Sequence, residues 1–146
     1  MTDFLSNSIL FTAVLSWFVA QVLKVIGVII KYKRIDFSRF VGSGGMPSSH
    51  TSLVMSLSTA VGLTEGFTST VFAVSVIMSL VVMYDAAGVR RAAGQQARIL
   101  NKMVEEWENK NFTDTDKKLK ELLGHTPVEV FAGALLGIGI ALIRHL

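Results

Sequence analysis

The sequence predicts an all-α integral membrane bundle, with about four transmembrane helices plus a cytoplasmic amphipathic helix. Composition, the length of the apolar runs and the placement of the charges carry that prediction. Of 146 residues, 51% are hydrophobic and 17% charged, and the mean hydropathy is +0.51. Soluble domains carry about a quarter charged residues. Four apolar runs stand out, at residues 9–30, 47–63, 67–84 and 126–146. Each comes near the ~20 residues that cross ~30 Å of hydrocarbon. The second and third are short and mildly polar, which suits helices packed against other helices.

The charges orient the bundle. The chain has 14 Lys and Arg, and all but Lys24 and Arg144 fall in two loops. Lys31, Lys33, Arg34 and Arg39 follow the first run. Arg90, Arg91, Arg98, Lys102, Lys110, Lys117, Lys118 and Lys120 follow the third. Four spans put both loops on one side of a cell membrane. The positive-inside rule makes that side cytoplasmic and leaves both termini outside. The first residues lack the basic stretch of a cleavable signal, and the first run is long enough to span. There is no cysteine, which excludes disulfides, thiolate catalysis and cysteine-held metals.

Run one carries Trp17, Gln21 and Lys24 at spacings of four and three, so they share one helix face. An ionisable group inside a span is costly and marks function. The alternative is a Lys24 stem that snorkels to the headgroups. Gly42-Ser43-Gly44-Gly45 reads as a hinge or close-approach loop. Runs two and three form a hairpin through Thr64-Glu65-Gly66. Residues 85–107 are rich in helix formers. There Val89, Ala93, Gln96, Leu100, Val104 and Trp107 recur every three or four residues. This mostly apolar stripe suits the membrane or the other helices, with Arg91, Gln95, Arg98 and Lys102 opposite. A hydrophilic link at 109–118 leads to a short helix at 119–123, with Gly124 as its C-cap. Run four contains Gly133 and Gly137, one turn apart, which let helices approach closely in lipid.

Two histidines stand where loops become helices. In Gly44-Gly45-Met46-Pro47-Ser48-Ser49-His50, Pro47 suits the first helical position, where its missing N–H is not needed. Ser48 and Ser49 either cap the helix or, with its first amides, hold an anion. In Gly124-His125-Thr126-Pro127-Val128-Glu129, Thr126 and Glu129 fit a capping box, with Pro127 first. The box does not explain His125, and it leaves Glu129 able to orient a neighbouring imidazole. The positive end of a helix dipole favours the neutral ring that a nucleophile or base requires. Arg90 and Arg91 either clamp phosphate oxygens or anchor at the headgroups. Asp85 pairs imperfectly with them by spacing, and as readily with a lysine or histidine. His145, at the far end, is given no role. Two histidines, a buried lysine and paired arginines are the parts of phosphoryl transfer without a metal.

Together these motifs resemble the type 2 phosphatidic acid phosphatase and vanadium-dependent haloperoxidase superfamily, in its small divergent membrane branch. The resemblance covers nearly the whole chain. It rests on Gly-Gly-Met-Pro-Ser-Ser-His, on Met83-Tyr84-Asp85-Ala86-Ala87-Gly88-Val89-Arg90-Arg91-Ala92-Ala93-Gly94, and on Gly-His-Thr-Pro-Val-Glu-Val. It implies a single membrane-embedded domain over residues 1–146 that acts as a metal-independent lipid phosphatase at the cytoplasmic face. By position it implies His125 as the nucleophile that becomes phosphohistidine, Glu129 as its orienting carboxylate and His50 as the general acid. It implies phosphate contacts from Lys24, Ser48, Ser49 and Arg90 or Arg91, with Gln21, Arg39 and Asp85 as further candidates. The expected partner is a phosphorylated membrane lipid, with no cofactor, metal or nucleic acid. A homodimer is a further expectation. The chain departs from the superfamily pattern in three ways. No Arg-Pro pair follows Lys24, the arginines stand far from His125 in sequence, and the spans are fewer. These departures sustain a second expectation, a membrane protein that binds lipid phosphate without cleaving it.

Overall fold

Hydroxyls and glycines, not large apolar side chains, decide how these helices pack. The computed structural model describes residues 6–32, 45–111 and 124–146. Along them run α1 (Ser8–Tyr32), α2 (Ser49–Glu65), α3 (Thr70–Ala87), α4 (Val89–Asn111) and α5 (Pro127–His145). Arg39, the glycines at 42–44 and the short helix expected at 119–123 lie outside the described residues. So do the side chains of Arg90 and Trp107.

The middle of the bundle is α2. It runs parallel to α5, because the Ser48 N–H donates to the Glu129 carbonyl at 3.0 Å and both helices start there. A Cβ on Gly133 would collide with the Ser48 carbonyl, and one on Gly137 with the Ser52 carbonyl. The glycine pair of run four is therefore the seam between the two backbones, as small residues one turn apart allow. On another side α1 runs antiparallel, with Ser16 Oγ 2.6 Å from Ser52 Oγ. On a third, α3 runs antiparallel, with Ser58 Oγ 2.7 Å from Ser79 Oγ. The turn from α2 to α3 uses Gly66 at φ +91°, which a side chain would resist.

What is buried is small: Ala13, Ala20, Ala60, Ala134 and Ala141 with Ser16, Ser52, Ser56 and Thr12. What is exposed is large: Val74, Ile77 and Val81 on α3, and Val128, Phe131 and Leu135 on α5, are each more than half exposed. A water-soluble domain reverses that distribution, whereas hydrocarbon wets such a surface at no cost. This is an all-α membrane bundle.

Among the described residues, three stretches contain a run long and apolar enough to cross a bilayer: Ser8–Ile30, Thr70–Glu106 and Pro127–His145. α2, with 17 residues, is not among them. That refines the expectation of four spans. A helix enclosed by others has no need of an apolar circumference, and α2 spends its surface on serine and threonine hydroxyls.

Two local expectations also change. Pro47 is not the first helical residue. Ser48 is the N-cap, its hydroxyl accepting the Thr51 N–H, and the Met46–Pro47 peptide is cis. Among the described side chains of α4 the buried positions are Gly94 and Asn101, while Val89, Ala93, Gln96 and Leu100 are exposed. The apolar stripe therefore faces away from the protein. Helix α4 also runs on to Asn111, into the stretch read as a hydrophilic link.

At the far end, Thr12 fastens the start of α1 to the end of α5. Its hydroxyl donates to the Ser8 carbonyl at 2.7 Å and accepts from Arg144 Nε at 3.1 Å. His145 Nε2 lies 2.9 Å from the same oxygen. The Arg144 guanidinium also sits 4.7 Å over the Phe11 ring.

Candidate active site

The parallel seam brings two helix N-termini to one end of the bundle. Unpaired amides and the positive dipole end make each of them a favourable surroundings for an anion. Parallel α2 and α5 place the two side by side, with Ser48 joined to Glu129 through the main chain.

His125 stands just before α5 and is 3% exposed. Its main-chain N–H donates to the Ala86 carbonyl at the end of α3, at 3.1 Å. Its ring Nδ1 lies 3.1 Å from Glu129 Oε2. That same oxygen accepts the Thr126 N–H at 3.0 Å, and the Glu129 N–H returns to Thr126 Oγ1 at 3.3 Å. The capping box read from the sequence is thus formed, and its carboxylate also holds the histidine. A carboxylate at Nδ1 requires a proton there. The neutral ring then keeps its lone pair on Nε2, which is the arrangement of a nucleophile or base.

The peptide before His125 is set by Gly124. A Cβ there would collide with the main chain of Arg91. Since Ala86 precedes α4 by three residues and Arg91 lies in its first turn, the α3–α4 junction grips the His125 segment from both sides.

From the other flank comes Lys24, 5% exposed. Its Nζ donates to Ser49 Oγ at 3.1 Å, and it lies within electrostatic reach of Glu129. The lysine is therefore turned into the bundle and does not snorkel. Gln21, 6% exposed, lies one turn deeper on the same helix.

Five of the expected residues meet at this end: His125, Glu129, Lys24, Ser48 and Ser49. Ser48 is occupied as a cap, accepting the Thr51 N–H at 3.4 Å and the Thr51 hydroxyl at 3.0 Å. Arg91 is exposed, with its main chain at the site. Asp85 is half-buried near the end of α3. His50 is exposed in the first turn of α2. At about 100° per residue it points away from Ser52, whose carbonyl faces Gly137 on α5. His50 therefore falls on a different side of α2 from the Ser52 hydroxyl, which meets α1. Among the described residues, no group of three or more His, Asp or Glu is placed to hold a metal ion.

Thr51 and Ala86 lie at the candidate site and escape a reading of residue types. Thr51 has a weak signal, since it falls one turn after the capping Ser48. Ala86 has none, because it contributes a main-chain carbonyl.

A family model described as "Divergent PAP2 family" matches residues 5–140. The "Uncharacterized membrane protein YuiD" of Bacillus subtilis (strain 168) is 44% identical over 151 residues, covering 97% of this chain and 96% of that protein. No solved structure matches the chain.

Proposed function

The chain belongs to the Divergent PAP2 family, and from that premise we propose that it is a metal-independent phosphatase of membrane lipids. The observation that carries the reading is the pair formed by buried His125 and partly exposed Glu129 at the point where α2 and α5 begin. In the proposed reaction Nε2 of His125 attacks the phosphorus of a lipid phosphomonoester. The bond from phosphorus to the lipid oxygen breaks, and the leaving oxygen takes a proton from the general acid, the role that the resemblance gives to His50. Water then attacks the phosphohistidine, releasing inorganic phosphate and restoring the imidazole. Glu129 keeps the ring in its reactive tautomer and balances the charge that develops on it. Lys24, Ser49 and the amides opening the two helices offset the charge of the phosphoryl group in flight. Arg90 and Arg91, at the start of α4, supply further cations for the incoming headgroup.

The start of α1 and the end of α5 share one end of the bundle, and the site occupies the other. The basic loops adjoin the site end, so we assign that end to the cytoplasm by the positive-inside rule. A cytoplasm-facing site favours a phosphorylated glycerolipid, such as phosphatidic acid or phosphatidylglycerol phosphate, over polyprenyl diphosphate.

A second reading, binding of a phosphorylated lipid without cleavage, is favoured by the outward placement of His50. The resemblance gives that residue the proton-donor role, yet it is exposed on α2, whereas His125 is buried. One experiment separates the two readings. Purified, detergent-solubilised protein is assayed with EDTA for phosphate release from the three lipids, beside His125→Ala and His50→Ala. Release that both variants abolish supports the phosphatase and names its substrate class. Release lost only in His125→Ala keeps the nucleophile and removes His50 as the acid. No release from folded wild-type protein overturns the reading in favour of binding.

A further inference from the structure

Beyond its first turn, helix α4 has no part in the proposed chemistry. It has three distinct sides. At about 100° per residue, Gly94 and Asn101 fall on one line, and both are buried. Arg91, Arg98 and Lys102 fall within about 40° of one another on a second side, and all are exposed. Val89, Ile99, Leu100 and Met103 fall within an arc of about 100° on a third. These four are 59%, 56%, 48% and 60% exposed. In sequence, α4 carries no acid before Glu105.

From Thr70 to Glu106, α3 and α4 together take in 37 residues. As one straight helix they would extend ~55 Å, against a hydrocarbon core of ~30 Å. Part of this length must therefore leave the core. The chain breaks its helix at Gly88, whose φ and ψ of −105° and −82° are not helical, and the cations begin directly after.

We propose that α4 lies in the plane of the membrane as an anionic-lipid-binding helix. Its Ile99, Leu100 and Met103 side enters the acyl boundary, and Arg98 and Lys102 meet acidic headgroups. An apolar stripe flanked by cations, with no acid in its first four turns, complements an anionic bilayer surface. It does not complement a second copy of the same cationic helix. Because Arg91 packs against Gly124, the first turn of this helix also fixes the His125 segment at headgroup depth. The proposal holds whether or not lipid phosphate is cleaved.

The absence of cysteine makes the test direct. Single-cysteine variants at Ile99, Met103, Arg98 and Lys102 of the full chain are spin-labelled and reconstituted in two kinds of vesicle. One is phosphatidylcholine alone, and the other contains added phosphatidylglycerol. Accessibility to oxygen, which concentrates in lipid, is compared with accessibility to a water-soluble nickel chelate. Labels at 99 and 103 are expected to favour oxygen, and labels at 98 and 102 the chelate. In a charge-neutralised Arg98→Gln/Lys102→Gln background labelled at 103, the docked-to-undocked ratio in phosphatidylglycerol vesicles should fall by on the order of tenfold.

Equal chelate access at all four positions would show a helix standing in water and would overturn the proposal. Equal oxygen access at all four would show a continued span, with the same consequence. Spin–spin broadening at 99 or 103 would put a second copy on this face instead. Identical behaviour in the two vesicle types would remove the recognition of charge.

Discussion

Helix α5 has a histidine at each end, and the two are put to opposite uses. His125, at the positive end, faces a carboxylate that takes its Nδ1 proton as a hydrogen bond. His145, at the negative end, faces the Thr12 hydroxyl, whose single proton already goes to the Ser8 carbonyl. That oxygen can only accept, so His145 donates through Nε2. One ring has its Nδ1 proton held by a carboxylate, and the other spends its Nε2 proton fastening two helices together. The residue type is the same. The partner decides which nitrogen is left to react, and the helix end decides which charge is welcome there.

The sharpest break in that comparison is the pair of alanine substitutions. His125→Ala should lower phosphate release by on the order of a millionfold, the scale of removing a nucleophile. His145→Ala should leave turnover within about twofold while lowering thermal stability. Turnover that falls equally in both would erase the distinction between the two ends.

The next effect tests the seam that brings the site together. Gly133→Ala drives a methyl into the Ser48 carbonyl, and should destabilise by about 1–3 kcal/mol. Gly139→Ala meets nothing within 4 Å and should gain up to about 1 kcal/mol from helix propensity. Both are read from unfolding in detergent, and similar shifts would remove the seam from the account.

Glu129→Gln sharpens the site end. It keeps a side-chain oxygen for the Thr126 N–H and removes the charge at His125 Nδ1. A drop of about 10–100-fold in turnover is expected, with little loss of stability. If stability falls as far as activity does, Glu129 is a cap and no more.

The smallest effect belongs to the far end. Thr12→Val removes the hydroxyl that Arg144 and His145 share, and should cost about 1–2 kcal/mol with unchanged turnover. A change in turnover would mean that the two ends are coupled along α5.

Much of the helix count and most of the boundaries were legible because they depend on local runs of apolar residues. The capping box was legible for the same reason, since Thr126 and Glu129 are one turn apart and satisfy each other. Lys24 was marked by the cost of a charge in a span. Its partner was not marked, because Ser49 lies in another helix and any serine would read alike. The direction of His50 was illegible for a definite cause. α2 carries serine, threonine and alanine around its circumference, so its pattern holds no phase to say which side meets α5. The α4 stripe was visible as amphipathic, but periodicity alone does not say whether protein or lipid covers the apolar side.

By itself, the sequence determined that the chain is a membrane protein, where its helices run, and that two of them open with histidine-bearing caps. Those properties follow from transfer free energies and from hydrogen bonds between near neighbours. Only the tertiary structure decided that α2 and α5 run parallel, that Gly133 and Gly137 form their seam, and that His125 lies between the Ala86 carbonyl and Glu129. These depend on close approach between backbones. In lipid, small residues permit that approach at many positions, and three-dimensional packing selects one.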